Sequence, residues 1–282
     1  MPESTEEIAG RRVISLERPS DGVALITWHH PELRNHGTFA AVDQLADALK
    51  EAREGGARVC VLASATPGHW FQHAWLRDLL AMFRGEPTTG AGIGFFTAVS
   101  ELTHPGMISI AAINGDSNGG GAELGWACDL RVAEEQVAIG QPEVQIGLTT
   151  GLGGTVRLAR LVGSAAAAEM ILDGRPLPAR RLYELGAVNR LVAEGRATEA
   201  ALDWAAHLAA QPHAPQRVMK QLLAEAADMP LGEALALEQS RFQENARTPA
   251  ALEQMDRIQA RFDAGEAIRS VYGEPVKQDE EE

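Results

Sequence analysis

A run of three glycines directly ahead of a carboxylate constrains this chain more than any other feature. The run is Gly119 to Gly121, and Glu123 follows it after one alanine. Because glycine has no Cβ, such a run lets the backbone turn sharply and lets its N–H groups approach a ligand closely. The residues that follow have the pattern of a short helix, whose first-turn N–H groups have no partner within the helix. The run therefore predicts a strand-to-helix connection that can hold an oxyanion or a phosphate.

A second carboxylate, Glu143, follows a proline later in the chain. Pro142 restricts the local turn and so aims the side chain that comes after it. Glu123 lies between small and apolar neighbours, where burial would raise the pKa of a carboxyl toward neutrality. Two carboxyls of this kind predict general acid/base chemistry beside an anion site. The alternative is a tight connection in which Glu123 is merely solvated.

Composition and charge exclude several classes of protein. The chain has 282 residues, 45% of them hydrophobic, which is enough for one substantial core with or without a helical appendage. A net charge of −14 argues against a general nucleic-acid binder, because phosphate contacts need clustered lysine and arginine. No apolar run approaches the roughly 20 residues of a membrane helix, and no secretory signal is visible. We therefore expect a cytoplasmic protein in which Cys60 and Cys128 are buried free thiols.

Alternating strand and helix patterns give way to helices along the chain. We expect a disordered tail over residues 1–10, a core over 11–195, a helical region over 196–265 and an acidic tail over 266–282. Hydrophobic spacing predicts strands at 13–16, 23–28, 59–63, 107–113 and 132–139, and helices at 39–54, 152–161, 165–172, 198–210, 215–227, 231–246 and 249–262. This order indicates repeated strand-strand-helix units followed by a helical region.

Five segments in order, 110–115, 119–124, 127–131, 140–143 and 153–158, resemble the core motifs of the crotonase (enoyl-CoA hydratase/isomerase) superfamily. The resemblance extends from about Arg12 to about Phe262. It implies an α/β fold, a crotonase-type spiral of repeated ββα units with a C-terminal helical region that mediates trimers or dimers of trimers. It also implies an acyl-CoA substrate and no separate cofactor, since CoA is part of the substrate.

The resemblance assigns roles to four residues. Glu123 would help to activate a water molecule, and Glu143 would be the main proton donor to the substrate. The backbone N–H groups of Ala74 and Gly120 would form the oxyanion hole. The register of the loop that contains Ala74 is taken from residues 76–79, and a slip of one residue would move the donor to Trp75.

Two residues of the same loop depart from the family pattern. His73 replaces a glycine and Trp75 replaces an aspartate, which predicts a bulkier and more aromatic wall of the substrate pocket. The C-terminal end, which is rich in lysine and arginine in the family and helps to hold CoA, has few basic residues here. His69 and His73 could be metal ligands on a helix, but no third ligand has suitable spacing, so no metal site is predicted.

These observations leave three hypotheses about function. The first is hydration of the α,β double bond of an acyl-CoA thioester through an oxyanion-stabilised enolate. The second is a double-bond isomerase or a carbon–carbon bond hydrolase that acts on a carbonyl substrate without CoA, which the unusual loop at His73 motivates. The third is a non-catalytic dinucleotide or phosphate binder, although the glycines between 115 and 121 match neither nucleotide-binding pattern.

Overall fold

The computed structural model describes residues 4–274, which form two compact units divided between Gln211 and Pro212. The described part of the first unit contains α1 (Thr5–Ala9), β1 (Ile14–Ser20), β2 (Val23–Trp28), α2 (Phe39–Glu54), β3 (Val59–Ser64), β4 (Gly68–His69), α3 (Leu76–Arg84), α4 (Gly94–Leu102), β5 (Ile108–Ile113), β6 (Gly115–Asn118), α5 (Gly120–Ala127), β7 (Leu130–Glu134), β8 (Ala138–Gly140), α6 (Val156–Asp173), β9 (Leu177–Pro178), α7 (Ala179–Glu184), β10 (Arg190–Val192) and α8 (Ala197–Ala209). The described part of the second unit contains α9 (His213–Glu225), α10 (Leu231–Ala246), α11 (Pro249–Asp263) and α12 (Ile268–Tyr272).

A six-stranded sheet in the order β1-β2-β3-β5-β7-β10 lies at the centre of the first unit. β1 and β2 are antiparallel, and every later pair in the sheet is parallel. All six residues of β3 are buried, as expected of a parallel strand covered on both faces. The mixed α/β class predicted from the alternating patterns is confirmed.

One face of this sheet packs against α8. Valine and isoleucine side chains such as Val61 and Ile110 meet a row of alanines spaced four residues apart on the helix, Ala197, Ala201, Ala205 and Ala209. The small side chains let the helix lie close to the sheet. As a result α8 belongs to the first compact unit, whereas the sequence grouped it with the C-terminal helices.

The opposite face of the sheet packs against α2. Leu45 and Leu49 are fully buried against strand residues such as Ile26 and Leu62. The side chain of Thr38 accepts a hydrogen bond from the N–H of Ala41 at 3.1 Å and so caps the start of the helix. The observed bounds of α2 are those that the sequence predicted.

A second sheet of four short strands has the order β4-β6-β8-β9. β6 pairs with β4 and β8 in parallel, and it leads through Gly119 directly into α5. The strand-to-helix connection predicted at the three glycines is therefore present, and it lies at the edge where β6 ends.

The four helices of the second unit form a sequential array in which α9 packs on α10 and α10 on α11. Among residues 212–274 no side chain is buried. The predicted acidic tail contains α12, whose Tyr272 makes a ring contact with Phe262 of α11. Glu266, which lies between the two helices, forms an ion pair of 2.6 Å with Arg261 of α11. The remainder of that tail, residues 275–282, lies outside the described residues.

Two other predictions are wrong, one about disorder at the N-terminus and one about where a helix is interrupted. Residues 4–10, predicted to be disordered, contain α1, because Ser4 and Glu7 cap each other reciprocally and Ile8 is 3% exposed. The two helices predicted at 152–161 and 165–172 form the single element α6, with a break at Gly163, whose φ is 78°. Residues 1–3 lie outside the described residues.

Two further predictions concern the state of the cysteines and the absence of a membrane-spanning helix. Cys60 and Cys128 are buried and do not form a disulfide, as predicted. In the part of the chain from residue 4 to residue 274, no helix has the length and apolar content needed to span a membrane.

Candidate active site

The turn into α5 depends on Gly119. This residue has φ of 54° and ψ of −129°, a conformation that favours glycine, and its N–H donates to the carbonyl of Gly140 at 3.0 Å. A Cβ at Gly119 would lie 2.7 Å from the Cβ of His73. The turn therefore brings the start of α5 into close contact with the loop that contains His73 and Ala74.

The predicted oxyanion donors, Ala74 and Gly120, lie next to each other. Gly37 forms a parallel bridge with Ala74 by donating to the carbonyl of His73 at 3.0 Å and accepting from Trp75 at 2.9 Å. In such a bridge the N–H of the central residue points away from the partner strand, which frees that of Ala74. Gly120 is the first residue of α5, so its N–H has no acceptor within the helix. A Cβ built on Gly120 would be 3.6 Å from the nitrogen of Ala74.

Close packing fixes α5 against this loop. A Cβ at Gly121 would clash with the carbonyl oxygen of Phe71 and lie 2.7 Å from the nitrogen of Gln72. Ser117 donates to the carbonyl of Phe71 at 2.7 Å, and Asn118 donates to the side chain of Gln72 at 3.1 Å. The spacing between the two donors is therefore set by backbone packing rather than by a flexible side chain.

Glu123 projects from the first turn of α5 and is only 2% exposed. Its Oε1 accepts hydrogen bonds from the N–H groups of Leu152 and Gly154, each at 2.7 Å. Burial raises the pKa of Glu123 above its ordinary value, although these N–H groups favour the ionised form. The prediction of a desolvated carboxyl at this position is confirmed, and the solvated alternative is wrong.

Glu143 begins a 3-10 helix, Glu143–Ile146, directly after Pro142. Burial, helped by the nearby negative charge of Glu123, raises the pKa of Glu143 to about 7. At neutral pH this carboxyl is therefore present in both protonation states, as a group that both gives and takes protons requires.

Gln141 connects to Glu143, and the sequence did not single it out. In the amide orientation that satisfies both ends, its nitrogen donates to the two carboxylate oxygens of Glu143 at 2.9 and 3.1 Å, and its oxygen accepts from the indole N–H of Trp126 at 2.9 Å. Gln141 is fully buried. Its place immediately before Pro142 and Glu143 was the only available sequence signal.

A cavity of about 360 Å³ joins these groups. Ala74, Gly120, Glu123, Glu143 and His73 all line it, together with apolar residues of α3, α4 and the segment after Glu143. The structure thus brings five of the six predicted site residues to one place.

The sixth predicted residue, Trp75, lines a neighbouring cleft with Arg77 and Arg84, which corrects the prediction that it forms a wall of the reactive pocket. Its backbone is extended at the start of α3, with φ of −62° and ψ of 116°. In an extended segment successive side chains point to opposite sides, so Ala74 and Leu76 face the cavity while Trp75 faces away.

His73 is paired with another histidine that the sequence analysis did not identify. The rings of His36 and His73 meet edge to face with centroids 4.5 Å apart, and Nδ1 of His73 is 2.8 Å from the carbonyl oxygen of Ala74. Burial lowers the pKa of His36 and favours its neutral form. The neutral ring of His36 therefore supports His73 at the rim of the cavity without adding a charge.

Comparisons with known proteins show the family and the fold of the chain. A family model described as enoyl-CoA hydratase/isomerase matches residues 18–259. The mitochondrial enoyl-CoA hydratase domain-containing protein 2 of Bos taurus is 34% identical over 258 residues, 88% of this chain and 86% of that protein. The chain is similar to the crystal structure of an enoyl-CoA hydratase from Bacillus anthracis, with a TM-score of 0.79, 26% identity and coverage of 90% and 97% of the two chains. It is also similar to an enoyl-CoA hydratase from Thermoplasma volcanium, with a TM-score of 0.76, 26% identity and coverage of 87% and 96%.

Proposed function

This chain belongs to the enoyl-CoA hydratase/isomerase family and has the crotonase fold, and from that premise we propose that it adds water across the α,β double bond of an acyl-CoA thioester. The observation that carries the proposal is the meeting of two carboxyls with raised pKa, Glu123 and Glu143, in one cavity with the residues of the two N–H donors.

The N–H groups of Ala74 and Gly120 are proposed to bind the thioester carbonyl oxygen. Negative charge develops on this oxygen as the substrate becomes an enolate, and fixed donors stabilise that charge without having to reorganise. The packing of Gly121 against Phe71 supports this role, because it holds the two donors at a fixed spacing.

The two carboxyls are proposed to divide the proton transfers. Ionised Glu123 accepts a proton from water as the water oxygen bonds to the β carbon, and protonated Glu143 gives its proton to the α carbon. The substrate gains one water in total, and the proton on Glu123 then returns Glu143 to its acid form through solvent. The hydrogen bonds from Leu152 and Gly154 support the ionised state of Glu123, and the pKa of about 7 supports the protonated state of Glu143.

Double-bond isomerisation is a second candidate for one specific reason. Because two backbone N–H groups hold Oε1 of Glu123, Glu143 alone could move a proton between two carbons of the substrate. Analysis of the product distinguishes the two reactions, since hydration gives a 3-hydroxyacyl thioester and isomerisation gives a shifted double bond.

The experiment is an assay on enoyl-CoA thioesters with the variants Glu123→Gln and Glu143→Gln. We expect each substitution to lower kcat/KM by about 100- to 10,000-fold, because a positioned general acid or base contributes that much. Glu135→Gln is the matched control, since Glu135 is an exposed glutamate paired with Arg180. Full activity in both active-site variants would refute the proposed roles.

No separate cofactor is proposed, since the reaction needs only water and the thioester. We also propose a homotrimer or a dimer of trimers, which the exposed apolar residues of α9–α11 support. A cytoplasmic location stays a prediction, because the bovine relative is named as a mitochondrial protein.

A further inference from the structure

We infer that the pocket selects an uncharged, medium-length acyl group, which lies along one face of α3. The inference rests on the proposed function, because it assumes that the thioester carbonyl lies at Ala74 and Gly120. The observation behind it is that a single helix begins beside one oxyanion donor and lines the cavity along its length.

Four apolar side chains of α3 face the cavity. Met82 and Phe83 each follow Leu79 by three or four residues, and Leu79 follows Leu76 by three, as neighbours on one helical face do. The other face of the helix lines a separate cleft, through residues that include Arg77 and Leu80. The four cavity-facing side chains, here called the acyl track, therefore form a continuous apolar stripe.

The length of the acyl track sets the length of the acyl group. Leu76 comes two residues after Ala74, and the helix advances 1.5 Å per residue, so the track from Leu76 to Phe83 is about 10 Å long. An extended hydrocarbon advances about 1.25 Å per carbon, given a carbon–carbon bond of about 1.5 Å and a bond angle near 111°. About eight carbons therefore cover the track from Leu76 to Phe83.

The opposite wall of the pocket is aromatic near the donors. The ring of Phe95 lies against the start of α5, since a Cβ at Gly120 would be 3.2 Å from its Cε1. Phe39 lies behind Gly92, whose Cβ would be 3.1 Å from the ring. Both rings are buried, so the first carbons of the chain would lie against an apolar aromatic wall.

The far end of the acyl track is open. Phe83 is 75% exposed and Met82 is 41% exposed, so apolar surface faces solvent where the chain would end. Each methylene that covers this surface increases affinity through burial. A chain that reaches Phe83 gains from the whole track, and one that stops at Leu79 gains from half of it.

The charges around the cavity exclude carboxylated acyl groups. Among the described residues that line it there is no lysine or arginine, and its ionisable side chains are Glu123, Glu143 and His73. A second carboxylate on the substrate would be desolvated beside two glutamates and would have no cationic partner along the track.

The first test is the chain-length dependence of hydration. With a series of enoyl-CoA thioesters from crotonyl to dodecenoyl, kcat/KM should rise by up to about fourfold for each added methylene and should level off only once the chain covers the whole track, at about eight or more carbons. A flat or falling series would overturn the inference while leaving the proposed hydration intact.

Substitution of two adjacent leucines provides the matched control. Leu79→Trp fills the acyl track and should lower the ratio of octenoyl to crotonyl turnover by at least about tenfold. Leu80→Trp adds the same bulk on the other face of α3 and should leave the ratio unchanged. The inference would be overturned if both substitutions changed the ratio equally, or if neither changed it.

Binding measurements separate the inference from the proposed function. Calorimetry with saturated thioesters should show that octanoyl-CoA binds more tightly than butyryl-CoA, and more tightly than the suberyl thioester, which carries a terminal carboxylate. If no enoyl thioester is hydrated but this order of affinity holds, the proposed function fails and the acyl track stands. Equal affinities would overturn the acyl track whatever the activity, and this series needs only the unmodified chain.

Discussion

Glu123 and Glu143 line the same cavity but have different surroundings. Glu123 is almost fully buried and accepts two backbone hydrogen bonds, which partly offset the effect of burial on its pKa. Glu143 is half-buried, and burial together with the nearby charge of Glu123 raises its pKa to about 7. Two carboxyls with environments that differ in this way can serve as base and acid in the same reaction.

The pKa of Glu143 predicts how the rate depends on pH. Because this pKa is raised, the acid form persists up to about pH 7 and is lost as the pH rises through that value. We expect kcat/KM for hydration to fall tenfold per pH unit above the pKa of Glu143, and to fall also at low pH, where Glu123 becomes protonated. The measurement is a pH–rate profile on one enoyl-CoA. A profile that stays level from the acid side through pH 7 to alkaline pH would contradict the acid role.

The raised pKa of Glu143 also affects the free energy of unfolding, which should likewise fall as the pH rises. A carboxyl whose folded pKa is raised above its usual 4.5 stabilises the native state below that value and loses this contribution as the pH rises to about 7. The variant Glu143→Gln should therefore lack this part of the pH dependence of unfolding, which serves as an internal check on the rate profile.

At the scale of elements, the site depends on the contact between α5 and the loop before α3. Neither element carries the oxyanion pair alone, since Ala74 comes from one and Gly120 from the other. The absence of a side chain at Gly121 lets the two backbones touch.

Gly121→Ala should therefore damage catalysis more than folding. The added methyl group would force the loop at Phe71 away from α5 and would separate the two donors. Loss of one such donor costs about 100- to 1,000-fold in kcat. Gly125→Ala on the same helix is the control, because its Cβ would meet Trp70 at an ordinary 3.4 Å. The measurements are kcat and thermal unfolding, and an equal kcat in the two variants would argue against the donor pair.

At the scale of the whole molecule, the two compact units bury their apolar residues differently. The first unit has a continuous core on both faces of the six-stranded sheet. In the second unit, within residues 212–274, large apolar side chains such as Leu223, Leu231 and Phe242 are exposed. Exposed apolar surface of this extent indicates a surface that binds a partner.

We therefore expect the full chain to form trimers or hexamers in solution, since apolar surface on these helices would be covered by other copies. Sedimentation equilibrium should give three or six times the mass of the chain. Leu223→Asp should shift the equilibrium toward smaller species, whereas Gln221→Asp, which changes a residue that is already polar on the same helix, should not. A monomeric mass at all concentrations would contradict the assembly.

Local sequence determined the features that depend on neighbouring residues. The apolar spacing from Phe39 to Glu54 gave the bounds of α2, and the three glycines gave the turn into α5, because periodicity and backbone sterics act over a few residues. The order of the motifs indicated the family and pointed to Glu123 and Glu143. In contrast, the capping pair of Ser4 and Glu7 was a local signal of a helix at residues that were predicted to be disordered.

Tertiary structure alone decided the features that depend on distant parts of the chain. It placed Trp75 outside the cavity, inserted Gln141 between Trp126 and Glu143, and raised the pKa of Glu143 to about 7. Burial, the proximity of charges and the direction of a side chain are set by residues far apart in the sequence. For that reason the sequence identified the groups of the site, and only the packing of the sheets and helices determined their spacing, their protonation and the shape of the pocket around them.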